Sequence, residues 1–300
     1  MTADMKLLVA DIGGTFIKYA HMLSDMSMLH SGKVPTPQSS REELVDCIAT
    51  LFDGFVGAEG IAIAMPGIID AHSGTCLVGG ALRYNEGFSL KKALEERCKV
   101  PVYVENDAKC GAMAEAAAGS LKDVADGIVL LFGTMIGCGI IMNHKLYKGG
   151  RFAAGEVSYI IPRPDNHVDY DNVWGNSGGT PRLCRMYAEK KGLESANGVE
   201  VFDAVEQNDA DAINSLKCYC HELAVQIFNL QTVLDPERIA IGGGISARPI
   251  FIDSLENSLT ELYEQCPYPI PRAKIVPCTF RKDANLIGAL QCFLEKYKTP

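Results

Sequence analysis

Two short glycine-rich motifs have the composition needed to hold the phosphates of a nucleotide. The first is Asp11-Ile12-Gly13-Gly14-Thr15, and the second runs from Gly133 through Thr134 to Gly139. Glycines permit positive φ and let backbone N–H groups approach phosphate oxygens closely. The carboxylate of Asp11 suits a hydrated Mg²⁺ ion, and each motif adds a threonine hydroxyl. Either motif alone is also compatible with a plain tight hairpin, so the pair is what favours phosphate binding.

Asp107 is the best candidate for a catalytic carboxylate. It ends the tripeptide Glu105-Asn106-Asp107, at a point where an apolar strand is predicted to enter an alanine-rich helix. A carboxylate there can accept the proton of an attacking hydroxyl, as in phosphoryl-transfer enzymes, and Asn106 can bind a neighbouring hydroxyl. The alternative interpretation is that Asp107 only caps the helix.

A third glycine run, Gly242-Gly243-Gly244, follows an apolar strand and precedes a helix. Its bare backbone would allow close packing against a flat adenine ring. Such a strand-to-helix turn also forms without any ligand, so this run by itself does not identify a nucleotide site.

The elements that must position these motifs follow from apolar periodicity. Predicted strands cover residues 7–12, 16–22, 28–34, 61–65, 100–104, 127–132, 140–143, 238–241 and 274–277. Predicted helices cover residues 41–52, 107–118, 179–190, 211–234, 249–263 and 284–297.

The chain shows signs of an internal duplication. Residues 127–143 have the same layout as residues 7–22, namely strand, glycine turn, strand. Two such hairpins, each opening an α/β half, predict two lobes with a ligand-binding cleft between them. The expected boundaries are residues 1–120 for the first lobe and 121–283 for the second, with the helix over 284–300 packing back on the first.

Composition narrows the classes of partner. The 300 residues carry a formal net charge of −9 and contain no basic run, which argues against nucleic acid. No apolar stretch approaches the roughly 20 residues that span a bilayer, and no cleavable signal pattern is present, so a cytoplasmic protein is expected. The 11 cysteines are scattered and fit buried free thiols, and Cys218 and Cys220 are badly spaced for a metal on a helix.

These motifs together resemble the ROK family of sugar kinases and related repressors, within the actin-like ATPases. The family's Asp-x-Gly-Gly-Thr resembles residues 11–15, its Gly-Thr-x-x-Gly-x-Gly resembles residues 133–139, and its Glu-Asn-Asp-Ala resembles Glu105 to Ala108. The resemblance spans nearly the whole chain. It implies a duplicated actin-like, ribonuclease H-like α/β fold with two lobes, and a homodimer.

The resemblance also implies roles for individual residues. Asp107 corresponds to the general base, and the implied sugar contacts are Gly67, Gly80, Asn106, Asp107 and Glu156. The implied ATP contacts are Asp11, Gly13, Gly14, Thr15, Lys18, Gly133, Thr134, Gly137, Gly139, Gly243 and Gly244. ATP and Mg²⁺ are the expected cofactors, with Asp11 holding Mg²⁺ through water. Gly288-Ala289 resembles the helix that returns to the first lobe.

One departure from the family concerns zinc. Many members have a histidine three residues after the Gly-Glu pair and a cysteine cluster beyond it, whereas here Tyr159 stands at the histidine position and residues 165–181 contain no cysteine. No zinc site is therefore predicted. Zinc-free members include kinases resembling those for β-glucosides, which phosphorylate the 6-hydroxyl of a disaccharide's non-reducing glucose.

The polar segment 163–179, which replaces the zinc loop, is predicted to be a mobile lid, and it holds Trp174, the only tryptophan. The indole suits stacking on a second sugar ring, or burial in a small local core.

The acceptor sugar stays open between glucose, N-acetylmannosamine, fructose and β-glucosides. A non-catalytic sugar-sensing regulator is a weaker alternative, because the first strand begins near Met5 and leaves no room for a helix-turn-helix. A kinase for a carboxylate acceptor fits less well, since Glu105-Asn106-Asp107 and Gly155-Glu156 supply paired polar groups suited to hydroxyls. A sugar kinase also needs closure about a hinge to exclude water.

Overall fold

The computed structural model describes residues 5–163 and 172–297, which form two compact units. The first unit comprises Met1–Lys122, Leu146–Ala154 and Lys282–Pro300, and the second comprises Asp123–Lys145 and Gly155–Arg281. The segment Leu146–Ala154 has no counterpart in the predicted lobe boundaries. We retain those boundaries as a proposal.

The secondary structure alternates between strands and helices along the chain. The strands are β1 (Lys6–Ile12), β2 (Phe16–Leu23), β3 (Met28–Pro35), β4 (Gly60–Met65), β5 (Ile68–Asp70), β6 (Thr75–Val78), β7 (Val102–Asn106), β8 (Gly127–Phe132), β9 (Ile136–Met142), β10 (Lys145–Tyr147), β11 (Arg238–Gly242) and β12 (Lys274–Pro277). The helices are α1 (Arg41–Asp53), α2 (Leu90–Cys98), α3 (Asp107–Ala118), α4 (Trp174–Ser177), α5 (Thr180–Lys191), α6 (Gly198–Glu206), α7 (Ala210–Leu234), α8 (Pro249–Gln265) and α9 (Ala284–Tyr297).

The sheet of the first unit has the strand order β3-β2-β1-β4-β7. Strand β2 pairs antiparallel with β1 and β3, whereas β4 pairs parallel with β1 and β7. Nearly all residues of β1 and every residue of β4 are buried, which explains their uninterrupted apolar sequences. The side chains of β2 alternate between buried and more exposed positions, as expected nearer the sheet edge.

The second five-stranded sheet repeats this arrangement, with the order β10-β9-β8-β11-β12, and its strands β8, β9, β11 and β12 lie in the second unit. Strand β8 pairs antiparallel with β9 and parallel with β11, and β11 pairs parallel with β12. The predicted duplication of a strand, a glycine turn and a strand is therefore confirmed, and it extends to the parallel strands that follow. Each unit is a mixed α/β sheet with its own apolar core.

The second glycine turn is shorter than predicted. Strand β9 begins at Ile136 rather than Ile140, so Gly137 and Gly139 lie within the strand, paired with Leu131 and Val129. Ladder hydrogen bonds to β8 and the burial of Ile136 and Cys138 compensate for the low strand propensity of glycine.

Helices α3 and α9 pack tightly against each other within the first unit. A Cβ added at Gly288 would lie 1.7 Å from the carbonyl oxygen of Cys110, so only glycine permits this approach. Helix α9 belongs to the first unit. Within residues 5–163 and 172–297, no helix is both long enough and apolar enough to cross a membrane.

Candidate functional site

The first glycine hairpin joins β1 to β2. The N–H of Gly13 donates to the carbonyl of Phe16 at 3.0 Å, and the hydroxyl of Thr36 donates to the carbonyl of Gly13 at 2.7 Å. Neither Gly13 nor Gly14 has a positive φ, so the expected use of glycine for unusual backbone angles is wrong at this turn. Space is the physical reason instead, because a Cβ at Gly13 would lie 3.0 Å from the Phe16 carbonyl oxygen.

Asp11 lies at the carboxyl end of β1 and is 8% exposed. Its Oδ1 accepts a hydrogen bond from Asn285 at 3.1 Å, and its Oδ2 lies 3.8 Å from Nζ of Lys18, its cross-strand neighbour. Burial raises the pKa of Asp11, although the Asn285 amide and the Lys18 ammonium act in the opposite direction. The structure thus brings together two predicted ATP contacts, Asp11 and Lys18, and adds Asn285 from α9.

The strand-to-helix turn at β7 and α3 carries the proposed general base. Asn106 is the N-cap of α3, since its Oδ1 accepts the N–H of Lys109 at 3.0 Å. Asp107 is the first helical residue, and its Oδ1 accepts the N–H of Ala108 at 2.8 Å. The alternative interpretation of Asp107 as the cap is therefore wrong, because Asn106 performs that function.

Three predicted sugar contacts lie close together in the first unit. The side-chain amide of Asn106 donates to the carbonyl of Gly67 at 2.9 Å. A Cβ at Gly80 would lie 3.1 Å from the backbone nitrogen of Gly67. Gly67 itself has φ +103, and a Cβ there would lie 2.0 Å from the Val78 carbonyl oxygen, so a side chain is excluded. This part of the unit presents backbone groups and one amide, which suits a hydroxyl-rich ligand.

The second glycine hairpin lies in the second unit, between β8 and β9. The N–H of Gly133 donates to the carbonyl of Met135 at 3.0 Å, and the N–H of Thr180 at the start of α5 donates to the carbonyl of Gly133 at 2.9 Å. Gly133, Thr134 and Met135 are all exposed. Of the predicted contacts in this motif, Gly133 and Thr134 lie in the turn, whereas Gly137 and Gly139 do not.

A cavity of about 720 Å³ adjoins this turn, within the size range usual for small-molecule sites. It brings the second hairpin and the third glycine run together, because both Gly133 and Gly244 line it. Phe202 and Ile245 give it an apolar part, while Glu200 and Arg248 supply charge. Gly243 has φ +91, and a Cβ there would lie 2.1 Å from the Phe132 carbonyl oxygen, which explains why this run contains glycine.

Glu156 also belongs to the second unit, where it precedes a short 3₁₀ turn over Val157–Tyr159. Gly155 before it has φ +84, and a Cβ at Gly155 would lie 2.6 Å from the Cys138 carbonyl oxygen. Tyr159, at the position of the zinc-binding histidine in other family members, is 59% exposed. Within residues 5–163 and 172–297, no cluster of three His, Cys, Asp or Glu side chains is arranged to hold a metal.

Trp174 lies in α4 and is only 2% exposed. Its side chain belongs to the core of the second unit, together with Leu183 and Tyr187, so of the two interpretations the structure favours a local core. Residues 164–171 of the predicted lid lie outside the described residues.

Sequence reasoning missed several residues that support the site. Asn285, Thr36 and Thr180 each hydrogen-bond a glycine motif or its aspartate from a distant part of the chain. For Asn285 the available signal is a polar residue in the first turn of an apolar helix. Thr36 directly follows β3 and Thr180 begins α5, and the sequence around them offers no comparable signal.

The repeated sheet order and the two glycine hairpins define the duplicated actin-like α/β fold. The model of the ROK family matches residues 8–296, and this chain belongs to the ROK family.

Similar proteins of nearly equal length support the assignment. The chain is 33% identical over 299 residues to a beta-glucoside kinase from Klebsiella pneumoniae, covering 99% of this chain and 98% of that protein. A beta-glucoside kinase from Listeria monocytogenes is 31% identical over 295 residues, covering 97% and 98%. The crystal structure of a ROK family protein from Streptococcus pneumoniae in complex with sucrose has a TM-score of 0.89 and 28% identity, covering 98% of this chain and 99% of that chain.

Proposed function

We propose that this chain, an ATP-dependent carbohydrate kinase of the ROK family, phosphorylates the 6-hydroxyl of a glucose ring in a β-glucoside. The observation that favours a β-glucoside as acceptor is the similarity to two bacterial beta-glucoside kinases along nearly the whole chain. N-acetylmannosamine, fructose and free glucose are the competing acceptors.

In the proposed mechanism, Asp107 takes the proton from the attacking hydroxyl. Its position in the first turn of α3 favours this role, since the positive end of a helix dipole stabilises an ionised carboxylate. Proton acceptance makes the oxygen a better nucleophile towards the γ-phosphorus of ATP. Asn106, Gly67 and Gly80 would bind neighbouring hydroxyls, because they lie around the same strand end. We also propose that Glu156 contacts the sugar, and this role rests only on the resemblance of Gly155-Glu156 to the family's Gly-Glu pair.

We assign ATP contacts to each glycine hairpin, and the adenine to the cavity beside Gly244 in the second unit. Thr15, Thr134, Gly14 and Gly243 would contact the nucleotide through backbone and hydroxyl groups. Asp11 fits a water-mediated Mg²⁺ ligand, because Mg²⁺ in phosphate sites is commonly bound by one or two carboxylates that retain water. Bound Mg²⁺ would neutralise charge on the phosphates. Lys18 beside Asp11 would add a second positive charge.

A panel of acceptors tests the proposal directly. ADP release is measured with cellobiose, gentiobiose, glucose, N-acetylmannosamine and fructose, and the product is analysed by NMR to locate the phosphate. We expect the highest kcat/KM with the β-glucosides and a 6-phosphate product. A preference for N-acetylmannosamine or fructose would reassign the acceptor, and binding of sugar without any ADP release would favour a regulator.

The role of Asp107 is tested by Asp107→Asn. We expect unchanged ATP binding and a kcat lower by about 10²–10⁴-fold, the usual contribution of a general base. Asp46→Asn on α1 is the matched control, because that side chain is exposed and distant in sequence from every motif. Near-normal turnover in Asp107→Asn would remove Asp107 from the base role.

We further propose that the protein is a cytoplasmic homodimer, on the family resemblance alone. Sedimentation analysis of the purified chain measures the oligomeric state, and a monomer at assay concentration would contradict it.

A further inference from the structure

Two lysines link the segment Leu146–Ala154 to the turn that carries Asp107: Lys148 lies in the segment and Lys109 lies on α3. All these residues lie in the first unit. Nζ of Lys148 lies 2.9 Å from Oε2 of Glu105, and Nζ of Lys109 donates to the carbonyl of Phe152 at 2.6 Å. Glu105 and Lys109 are each 1% exposed. Residues 146–154 are called the strap segment below.

The carboxylate of Glu105 connects this ion pair to the catalytic turn. Its Oε1 accepts the N–H of Asn106 at 3.0 Å, and its Oε2 lies 3.4 Å from the hydroxyl of Tyr103. Asn106 is the N-cap that directly precedes Asp107. The orientation of the Glu105 carboxylate therefore helps to fix the backbone at the point where β7 becomes α3.

A buried carboxylate is costly unless a positive charge and hydrogen bonds compensate it. Lys148 supplies that charge, with its side chain 25% exposed. Burial alone would lower the pKa of Lys148, but the adjacent Glu105 carboxylate outweighs burial and raises it. Lys148 is therefore an ammonium ion at neutral pH.

The other titratable groups around Glu105 come from three elements. Tyr103 lies on β7, Cys110 on α3 and Cys292 on α9, and Glu295 on α9 acts on Lys148. Burial and the charge of Glu105 raise the pKa of Tyr103, so its hydroxyl stays neutral and can donate. None of these four groups carries a positive charge, whereas Lys148 does.

The strap segment holds Lys148 in place by its own backbone. The N–H of Ala154 donates to the carbonyl of Lys148 at 3.2 Å, which closes the segment into a loop. Gly149 has φ +72, as a tight reversal after Lys148 requires. The bond from Lys109 to the Phe152 carbonyl anchors the far side of this loop to α3.

We propose that Lys148 is a positioning residue for phosphoryl transfer: its ammonium pairs with the Glu105 carboxylate and orients it, and Glu105 in turn holds the Asn106 peptide that positions Asp107. This inference rests on the proposed role of Asp107. It adds a residue that none of the glycine or carboxylate motifs contains, on a segment joined to β7 by the Lys148–Glu105 ion pair and to α3 by the Lys109–Phe152 hydrogen bond.

Four variants test the inference: Lys148→Met, Lys148→Arg, Glu105→Gln and the double variant Glu105→Gln/Lys148→Met. We expect Lys148→Met to lower kcat by about tenfold, with KM for ATP changed by less than about twofold, because small misplacements of a catalytic group reduce turnover rather than nucleotide binding. Lys148→Arg should keep at least about half of the kcat, since arginine retains the ion pair. The double variant should resemble Glu105→Gln, because neither leaves an unpaired buried carboxylate.

The pH profile separates positioning from simple loss of stability. Removing the Lys148 ammonium takes a positive charge away from the catalytic turn, which makes uptake of a proton at this turn easier. The acidic limb of kcat in Lys148→Met should therefore move to higher pH, and Glu105→Gln should abolish that movement. A merely structural ion pair would lower the folded fraction without moving the limb.

Lys191→Met is the matched control, because Lys191 pairs with Asp209 at 2.6 Å at a partly exposed position of the second unit. Its kcat and pH profile should not change. A normal kcat and pH limb in folded Lys148→Met would overturn the inference. If Lys148→Met does not fold, the double variant decides, and an acidic limb displaced in it as well would overturn the inference. Normal turnover in Asp107→Asn would instead refute the proposed base, whatever Lys148→Met shows.

Discussion

The two glycine hairpins share a layout but differ in length. In the first, Ile12 pairs with Ile17, which leaves four residues between the two paired positions, whereas in the second Phe132 pairs with Ile136, which leaves three. Each turn is closed by a hydrogen bond of 3.0 Å from its first glycine. The backbone pattern is therefore repeated, with one residue fewer in the second turn.

The surroundings of the two hairpins differ more than their backbones. Two residues before the first turn stands Asp11, opposite Lys18, but the corresponding position before the second turn is Leu131, opposite Gly137. A charged cross-strand pair therefore stands directly before the first turn and not at the matching position before the second. This difference supports the proposal that the first hairpin contacts the metal and phosphates, and that the second, beside a cavity lined by both apolar and charged side chains, contacts the nucleotide through backbone groups.

Among changes at the two hairpins, replacing Asp11 should have the largest effect, because the corresponding position at the second hairpin is Leu131. We expect Asp11→Asn to lower kcat by about 10²-fold, the scale found when one group that stabilises transition-state charge is removed. The Mg²⁺ concentration needed for half-maximal rate should also rise. The assay is a magnesium titration of kcat, with Asp46→Asn as the control. If Asp11→Asn and Asp46→Asn required the same Mg²⁺ concentration for half-maximal rate, the proposed difference in role between the two hairpins would be wrong.

The same variant should be more stable than the original protein at neutral pH. Burial raises the pKa of Asp11 above its ordinary value of 3.8, so the folded state prefers the protonated form. Such a group stabilises the fold below its unfolded pKa, and this contribution is lost as pH rises through the folded pKa. Thermal unfolding should show a higher Tm for Asp11→Asn at pH 7 and no difference near pH 3. A lower Tm at pH 7 would contradict the sign.

A pair of alanine substitutions sharpens the comparison at the turns themselves. A Cβ at Gly13 would lie 3.0 Å from a carbonyl oxygen, whereas a Cβ at Gly133 would lie 3.7 Å from one, which is ordinary contact. Gly13→Ala should therefore cost about 1–3 kcal/mol of stability, as overpacking does, and Gly133→Ala should cost little. If phosphate approaches the bare backbone, Gly133→Ala should still raise KM for ATP. Denaturant unfolding and ATP kinetics on both variants measure the two effects separately.

The sequence predicted the central strands of both sheets well. Strands β1, β4, β8 and β11 are almost fully buried, so their apolar runs are uninterrupted and bounded by turn residues. Helix α2 was missed because only Leu90 and Leu94 of its residues are buried, which leaves too little apolar periodicity to detect.

The sequence predicts the parts of the candidate site that consist of short motifs, but not the residues from distant positions that contact those motifs. The glycine hairpins and Asp107 are readable because local turn chemistry determines them. Asn285 reaches Asp11 across 274 positions of sequence, and Lys148 reaches Glu105 from the strap segment. Such contacts depend on how α9 and the strap pack in the first unit, which no local pattern encodes. The predicted bounds of the second glycine turn were wrong for a related reason, since pairing with β8 decides where β9 begins.

The smallest expected difference concerns the threonines that support each turn. The hydroxyl of Thr36 donates to the Gly13 carbonyl at 2.7 Å and is 4% exposed as a residue, whereas the hydroxyl of Thr180 lies 3.5 Å from the Phe132 carbonyl oxygen. Thr36→Val should cost about 1 kcal/mol, the net value of a typical hydrogen bond, and Thr180→Val should be close to neutral. Both variants keep the branched shape, so packing changes little. Denaturant unfolding compares them, and equal losses would mean that the two turns are supported alike despite their different hydrogen-bond lengths.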